Sequence, residues 1–406
     1  MTERTLKDSL GTLKLTGESR WGAATARAML AHAGGIRPLH GEPEFLRALI
    51  EVKKVCALAN ADAGVLTPAM SIAITGACDN LLGESFNPAD FPVDVLLGGG
   101  SVAVNMNVNE VIAAVAAKAG HNVDAKLHVN ASQSTADVCH TAVRIAVGNV
   151  LTQLVPKLEQ VSRALAAKGK EFSGTTTLGR TCLRDAATID AGAGLDAAAQ
   201  LIQRRTDTLK RSAPAMRVVN LGGTVIGTGS GAPAAFRSAL PQRLAEVFGP
   251  PVTIKANLVD AAQHSDDLGA TLAELGQLAR ALLRVARDIR LLGSGPGGGF
   301  NEITGKAVME GSSFFPGKVN PILEESIIQA AIQVVGEEAA GRMAVEYGEL
   351  NLNVFDTQAG LAVIRAMKTL LPAVTSWGML GIPGLTLNRE RCRELSAMAH
   401  PEGRAP

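Results

Sequence analysis

Apolar residues recur at intervals of three and four along two long stretches of the chain. Between residues 267 and 292 the spacing includes Leu268, Leu272 and Leu275, and it predicts a long helix with one packing face. Glycines follow directly at residues 293–299, which predicts the end of this helix and the start of a mobile loop. A second long helix is predicted from residue 322 to about residue 346.

Three further helices follow from the same kind of spacing. One is predicted over residues 44–61 and another over residues 195–216. A third should begin near Thr141, with Pro156 bending or ending it because proline cannot donate the interior hydrogen bond. Helices of about 25 residues are close to 40 Å long at 1.5 Å per residue, so we expect an all-α, elongated bundle that buries its faces against other subunits.

Composition and charge narrow the class of protein. The chain has 406 residues, of which 47% are hydrophobic, so it can bury a large core. Lysine and arginine total 39 against 38 acidic residues, and this balance gives no reason to expect nucleic acid or a membrane as partner. The charged start and the lack of a long apolar stretch predict a cytoplasmic protein. Five scattered cysteines suggest neither disulfides nor a zinc site.

Residues 311–325, GSSFFPGKVNPILEE, combine reactive side chains with a helix start. Adjacent serines, a lysine and an asparagine supply a hydroxyl base, a cation and an amide donor, and the helix start favours anions. A surface loop followed by a helix cap is the alternative interpretation. Three other polar, glycine-containing segments, at residues 98–110, 128–141 and 179–185, are also candidates for lining a site.

Residues 311–320, the signature loop below, resemble the GSSxMPxKxN loop of the fumarase/aspartase superfamily. Residues 20–28, 105–113 and 128–134 match further segments of that family in order. The resemblance implies three regions, residues 1–131 (N-terminal helical), 132–380 (central long-helix bundle) and 381–406 (remnant of the C-terminal domain). It also implies a homotetramer with a twenty-helix core, active sites shared among three subunits and a small dicarboxylate substrate. The sequence has no HExxH motif, Walker loop or Rossmann fingerprint, so we expect neither cofactor nor metal.

The same resemblance assigns roles to individual residues. Ser312 would take a proton from the carbon beside a substrate carboxylate, and Lys318 and Asn320 would hold the charge that develops there. For Asn107 and His128 the alternative to substrate binding is a structural role, in which Asn107 caps or braces the helix after the glycines at residues 98–100 and His128 forms a structural hydrogen bond. The catalytic assignments are Ser312, Glu325 and Cys182, and the substrate-binding assignments are Lys318, Asn320, Ser313, Thr181, Ser134, Thr135, Ser101, Asn107 and His128.

The sequence departs from the family pattern at several of these positions. Cys182 stands where the family has a histidine, which disfavours expulsion of hydroxide and favours an ammonium leaving group; a small buried hydrophobe is the alternative. Gly98, Gly100 and Val102 replace carboxylate-binding hydroxyls, with Ser101 as the residue that would compensate. Ala136 replaces an asparagine.

These departures predict a carbon–nitrogen lyase for a succinyl-type substrate with altered substituents, such as a modified aspartate or a related amino or nitro dicarboxylate. The product would be a fumarate-like alkene. Ordinary aspartate ammonia-lyase or fumarate hydratase activity is one alternative. A non-catalytic assembly or binding protein on the same fold is another.

Overall fold

The structure is a computed structural model that describes residues 3–16, 19–84, 86–249 and 251–400. These residues form twelve α-helices and eight short β-strands. The helices are α1 (Ala23–Ala31), α2 (Pro43–Asp62), α3 (Pro68–Leu82), α4 (Val102–Lys118), α5 (Thr135–Phe172), α6 (Ala193–Lys210), α7 (Ala234–Phe248), α8 (Leu258–Gln263), α9 (Asp266–Leu292), α10 (Ile322–Glu346), α11 (Asp356–Ser376) and α12 (Arg389–Ser396). The strands are β1 (Glu3–Asp8), β2 (Gly11–Thr16), β3 (Thr176–Thr181), β4 (Arg184–Asp190), β5 (Val218–Val219), β6 (Thr253–Ile254), β7 (Ile303–Thr304) and β8 (Thr386–Leu387).

The strands pair two by two, and no larger sheet occurs among the described residues. β1 with β2, β3 with β4 and β7 with β8 are antiparallel, whereas β5 and β6 are parallel. None of these pairs is large enough to form a core of its own. The prediction of an all-α architecture is confirmed.

Three predicted helices are confirmed closely. The stretches predicted over residues 267–292, 322–346 and 44–61 correspond to α9, α10 and α2. The spacing that predicted α9 marks its buried face, since Leu268 and Leu272 are fully buried. α6 ends at Lys210 and so stops earlier than predicted, because Pro214 disfavours helical backbone in the residue before it.

The prediction for α5 was wrong at its start, and Pro156 does not end the helix. The helix begins at Thr135 and continues through Pro156 to Phe172. Pro156 is exposed, while Leu154 and Leu158 beside it are fully buried. Their burial offsets the roughly 3 kcal/mol that an interior proline costs.

α5 has no run of 18 uncharged residues, since it contains Asp137, Arg144 and Lys157, but a test for membrane spans that tolerates two charged residues is less strict. An 18-residue stretch of this helix passes that test by length and composition. In the fold 83% of the stretch is buried inside the protein, and a core helix has the same composition as a membrane span.

By internal contacts the chain divides into two compact units. The first unit comprises Met1–Val150, Ala213–Ala270 and Ala340–Ile364, and the second comprises Leu151–Ser212, Thr271–Ala339 and Arg365–Pro406. The division into regions 1–131, 132–380 and 381–406 stays a prediction. Residues 401–406 of the last region lie outside the described residues.

Candidate active site

The signature loop, in the second unit, is closed at its neck by two hydrogen bonds. The Gly311 N–H donates to the Lys318 carbonyl at 2.9 Å, and the Asn320 side-chain amide donates to the Gly311 carbonyl at 2.6 Å. A Cβ on Gly311 would collide with the carbonyl of Lys318 and the amide of Asn320. Only glycine fits at position 311. The two hydrogen bonds hold Asn320 beside Gly311, and Gly311 directly precedes Ser312.

The Ser312 hydroxyl accepts two backbone hydrogen bonds within the loop. The N–H groups of Phe314 and Phe315 donate to Ser312 Oγ at 3.1 and 2.9 Å. Donors of this kind stabilise an oxygen more when it carries negative charge, so they favour the alkoxide form of the serine. Ser312 is half-buried, and the neighbouring Ser313 is exposed.

A cavity of about 360 Å³ lies beside the signature loop in the second unit, and Lys318 and Asn320 contribute to its wall. Arg290 and Lys306 line the same cavity, although neither belongs to a motif that predicted a role for it. Ser312 is not among the lining residues. The single chain therefore places Lys318 and Asn320 on a common cavity without placing Ser312 there.

Two glutamates begin α10 and differ in environment. Glu324 is buried, and it accepts a hydrogen bond from the Trp377 indole N–H at 3.0 Å. Burial raises the pKa of the Glu324 carboxyl above its usual value. Glu325, by contrast, is partly exposed and lies 3.5 Å from the Arg290 guanidinium. The Arg290 guanidinium is therefore the charged neighbour of Glu325 among the described residues.

Thr181 and Cys182 lie at the turn of the β3–β4 hairpin. Thr181 pairs with Arg184, so Cys182 and Leu183 form a two-residue turn, with φ angles of +52° and +61°. Both residues are exposed, so Cys182 is not a buried hydrophobe as its alternative interpretation required. Among the described residues, no hydrogen bond or ion pair joins this turn to the signature loop.

The hairpin is anchored at its base by Glu302. Thr177 donates its hydroxyl to Glu302 at 2.5 Å, and Arg180 forms an ion pair with the same buried carboxylate at 2.6 Å. The Arg180 guanidinium also lies over the Phe300 ring, 4.2 Å from its centroid. A buried carboxylate that accepts from two side chains of the hairpin holds the hairpin in a defined position.

In the first unit, the segment at residues 128–135 is held by a buried polar cluster around Asn130. The Asn130 side-chain oxygen accepts hydrogen bonds from Lys53, Asn105 and Asn109 at 3.0, 3.1 and 3.1 Å. Lys53 also donates to Gln133 at 2.9 Å. Burial lowers the pKa of the Lys53 ammonium to about 8, because its hydrogen-bond partners are neutral amides.

Ser134 and Thr135 stand at the start of α5, where Asp137 organises the backbone. One oxygen of Asp137 accepts the Ser134 N–H at 2.9 Å, and the other accepts the N–H groups of Gly222 and Thr224 at 3.0 and 3.1 Å. Burial raises the pKa of the Asp137 carboxyl to about 6, although these three bonds favour the ionised form. Thr135 accepts a hydrogen bond from Asn105 at 3.0 Å, which fixes its hydroxyl.

The remaining assigned residues of the first unit have structural contacts. Ser101 is buried immediately before α4 with a left-handed backbone, at φ +56°. Asn107 is fully buried and donates to the Asp90 carbonyl at 2.9 Å, a bracing contact. The His128 ring accepts the Asp124 N–H at 2.9 Å. Substrate contacts for these three residues stay predictions.

Comparison with known proteins decides the family. A family model described as "Lyase" matches residues 20–336. The chain belongs to the fumarase/aspartase superfamily of lyases. It is 38% identical over 403 residues to an aspartate ammonia-lyase of Pseudomonas canavaninivorans, an alignment that covers 97% of the chain and 84% of that protein.

Solved structures of this superfamily share the fold. A fumarate lyase:delta crystallin from Brucella melitensis has a TM-score of 0.92 and 36% identity, covering 97% of this chain and 87% of that chain. A class II fumarase from Schistosoma mansoni has a TM-score of 0.89 and 27% identity, with the same coverage of both chains. The aspartate ammonia-lyase relatives support a carbon–nitrogen lyase.

Two features of this superfamily member were not predicted from its sequence. Arg290 and Lys306 line the cavity beside the signature loop, and Lys53 is the charged centre of the Asn130 cluster. Arg290 lies three residues before the glycine-containing stretch at residues 293–299, which was the available signal, whereas nothing in the sequence distinguishes Lys306 and Lys53 from surface lysines. Among the described residues, no group of three or more histidine, cysteine, aspartate or glutamate side chains could hold a metal ion.

Proposed function

We propose that the chain catalyses β-elimination of a nitrogen leaving group from a succinyl-type dicarboxylate, giving a fumarate-like alkene. The substrate class that we favour is a modified aspartate or a related amino or nitro dicarboxylate. Two departures from the family pattern support altered substituents: glycines and a valine at carboxylate-binding positions, and Cys182 in place of histidine. The aspartate ammonia-lyase relatives support nitrogen as the leaving atom.

The observation that carries the mechanism is the pair of backbone N–H groups bonded to Ser312 Oγ. A serine hydroxyl is a weak base at neutral pH, and it becomes effective only where its surroundings favour the alkoxide. The N–H groups of Phe314 and Phe315 supply that preference from within the loop. Ser312 is therefore our candidate for the proton-abstracting residue.

The proposed reaction has two steps. Ser312 removes a proton from the carbon beside a carboxylate, and the electron pair of the C–H bond moves into that carboxylate as an aci-carboxylate dianion. Lys318 and Asn320 hold this charge through an ammonium and an amide donor. The pair then returns to form the alkene, while the bond from the neighbouring carbon to nitrogen breaks and its electrons leave with the nitrogen.

The surroundings of Glu325 agree with a nitrogen leaving group. Arg290 lies 3.5 Å from Glu325, and an arginine stays protonated near neutral pH, so this pair supplies no proton donor. An ammonium group already carries the proton with which it leaves. Hydroxide would need an acid, so we expect malate to be a poor substrate.

Ordinary aspartate ammonia-lyase is the second candidate, and the 38% identity to a protein of that name favours it.

We further propose a cytoplasmic homotetramer in which Ser134, Thr135 and Ser101 contribute hydroxyls to shared sites. Light scattering should give the mass of four chains. A stable monomer would remove the shared-site proposal.

The test compares purified wild-type protein with Ser312→Ala, using aspartate, malate and N-substituted or nitro-substituted succinates. Alkene absorbance reports elimination, and ammonia or another released nitrogen species is measured separately. We expect Ser312→Ala to lower turnover by about a hundredfold to ten-thousandfold, the range of general base catalysis. Ser326→Ala is the matched control, because this exposed serine bonds only to the Ile322 carbonyl of its own helix, at 2.7 Å.

Equal turnover in wild-type and Ser312→Ala protein would remove Ser312 from the mechanism. Turnover of malate alone would reverse the preference for nitrogen. Aspartate as the best substrate would favour the second candidate. A tetramer that turns over none of these compounds would favour the non-catalytic alternative.

A further inference from the structure

The tip of the signature loop exposes two aromatic rings to solvent. Phe314 and Phe315 are the most exposed of the ten phenylalanines in the chain, and their ring centroids lie 4.9 Å apart. Phe86, the next in exposure, is stacked on the fully buried ring of Phe91. Neighbouring exposed aromatic rings favour binding, because a ligand that covers them removes apolar area from water.

The backbone connects these aromatic residues to both the candidate base and the candidate cation. The N–H groups of Phe314 and Phe315 donate to Ser312 Oγ at 3.1 and 2.9 Å. The Phe315 carbonyl accepts the Lys318 N–H at 3.3 Å. Phe315 is thus bonded to Ser312 through its N–H and to Lys318 through its carbonyl. A compound that the Ser312 hydroxyl and the Lys318 ammonium both contact therefore lies within reach of the two rings.

The chemistry of the loop tip limits the class of group that the rings can bind. Residues 312–317 read SSFFPG, and none of them has a side chain that is charged at neutral pH. A charged group placed against the rings would lose water without gaining a partner of opposite charge. An aromatic group would instead pack edge to face or offset against them. The loop tip therefore favours an apolar group, and an aromatic one most.

We infer that Phe314 and Phe315 bind an apolar, preferably aromatic, substituent on the leaving nitrogen, so that the substrate is an N-substituted aspartate. The inference rests on the proposed elimination and adds the chemistry of the substituent. The leaving nitrogen is bonded to the carbon next to the one that loses its proton, so a group on this nitrogen stays close to Ser312. When the carbon–nitrogen bond breaks, its electron pair leaves with the nitrogen, and the proton taken by Ser312 passes to solvent. N-benzylaspartate would thus give fumarate and benzylamine.

The experiment compares kcat/KM for N-benzylaspartate with that for N-carboxymethylaspartate, whose substituent is charged, in the full-length protein. We expect the wild type to prefer the benzyl compound by about tenfold or more, the gain from covering one phenyl ring. The double variant Phe314→Ala/Phe315→Ala should lose this preference, and Phe314→Tyr/Phe315→Tyr should retain it. The ratio of the two substrates cancels any effect of the substitutions on Ser312 itself. Leu10→Ala is the matched control, because it removes an exposed apolar side chain from the β1–β2 turn of the first unit and should keep the preference.

A wild type that prefers the charged substituent, or a benzyl preference that survives in the double alanine variant, would overturn the inference. So would a double alanine variant that keeps the preference but loses subunits in light scattering, because the rings would then serve contacts between copies of the chain.

Calorimetric titration of Ser312→Ala protein with the same two compounds separates this inference from the proposed elimination. Tighter binding of the benzyl compound by about tenfold, lost when both phenylalanines are also replaced by alanine, would support ring recognition even if no compound is turned over. Elimination of aspartate without any such difference in binding would leave the proposed function standing and refute the role of the rings. Absence of binding by both compounds would also refute it.

Discussion

Arg144 is the residue whose replacement should destabilise the first unit most clearly. Its guanidinium is buried in α5 and forms ion pairs with Asp267 at 2.7 Å and with Asp356 at 3.0 Å. Asp356 is fully buried and also accepts the Ser265 hydroxyl at 2.6 Å. Arg144→Met keeps much of the apolar stem of the side chain and removes only the cation that two carboxylates share.

The magnitude follows from what remains after the substitution. Burial alone would raise the pKa of the Asp356 carboxyl, but Arg144 and His140 with hydrogen bonds hold it below its usual value. His140 lies 3.8 Å from the same carboxylate, and burial lowers the pKa of its imidazole, so His140 is a poor substitute for the guanidinium. Breaking a buried pair in this way costs about 3–5 kcal/mol.

Urea unfolding followed by circular dichroism measures this loss. The control is Arg280→Met, because the Arg280–Glu338 pair has the same 2.7 Å separation but its arginine is 48% exposed, and we expect a loss below about 1 kcal/mol. The pKa of Asp356 is lowered in the native state, so the stability from this pair is fully present above the unfolded carboxyl pKa, and the deficit of Arg144→Met should shrink as pH falls below about 4. A deficit as small as that of Arg280→Met, or one independent of pH, would refute the reasoning.

Three further predictions concern other parts of the molecule. The pKa of Lys53 is lowered from 10.5 in the unfolded chain to about 8 in the native state, so between these pH values the native state binds fewer protons than the unfolded state. The free energy of unfolding should therefore rise by about 3 kcal/mol as pH rises through this window. In urea titrations, Lys53→Met should abolish this rise. The pKa of Asp137 is raised from 3.8 in the unfolded chain to about 6 in the native state, so the free energy of unfolding of the wild type should fall by about 3 kcal/mol as pH rises through this window. Asp137→Asn should lack this fall. If wild type and Asp137→Asn showed the same dependence of stability on pH, the assignment would be contradicted. Leu183→Gly should raise the free energy of unfolding by about 1 kcal/mol, because Leu183 is 70% exposed, has a φ angle of +61°, and glycine adopts this backbone conformation without steric cost. Thermal unfolding measures the change. An unchanged or lower unfolding midpoint temperature would count against strain at this turn.

Helices whose apolar periodicity decides their position were predictable from the sequence. α9 and α10 begin and end within a residue of their predicted limits, because the buried residues of each recur at intervals of three and four. The start of α5 was missed although Ser134 and Asp137 have the spacing of a helix-capping pair, and the Ser134 N–H does bond to Asp137. Its passage through Pro156 depends on burial of the neighbouring leucines, which only the folded chain reveals.

The candidate site was predictable where its chemistry is local in sequence. The signature loop carries Ser312, Lys318 and Asn320 within a few residues, so their types and order indicated it. The cavity beside it brings together residues as far apart as Arg290 and Leu385, and no local pattern predicts such a meeting. Lys53 was missed for a similar reason, because its burial depends on amide partners more than seventy residues away.

The closed neck of the signature loop fixes the residues at its base, whereas the side chains at its tip can be substituted. Gly311 and Asn320 hold the base of the loop, while Phe314 and Phe315 at its tip are 81% and 58% exposed and meet edge to face. Ser312 is served by the backbone of these two phenylalanines and not by their rings. A library that varies only the two aromatic rings would therefore sample new surfaces for larger or more polar compounds while leaving the hydroxyl and its two amide donors intact.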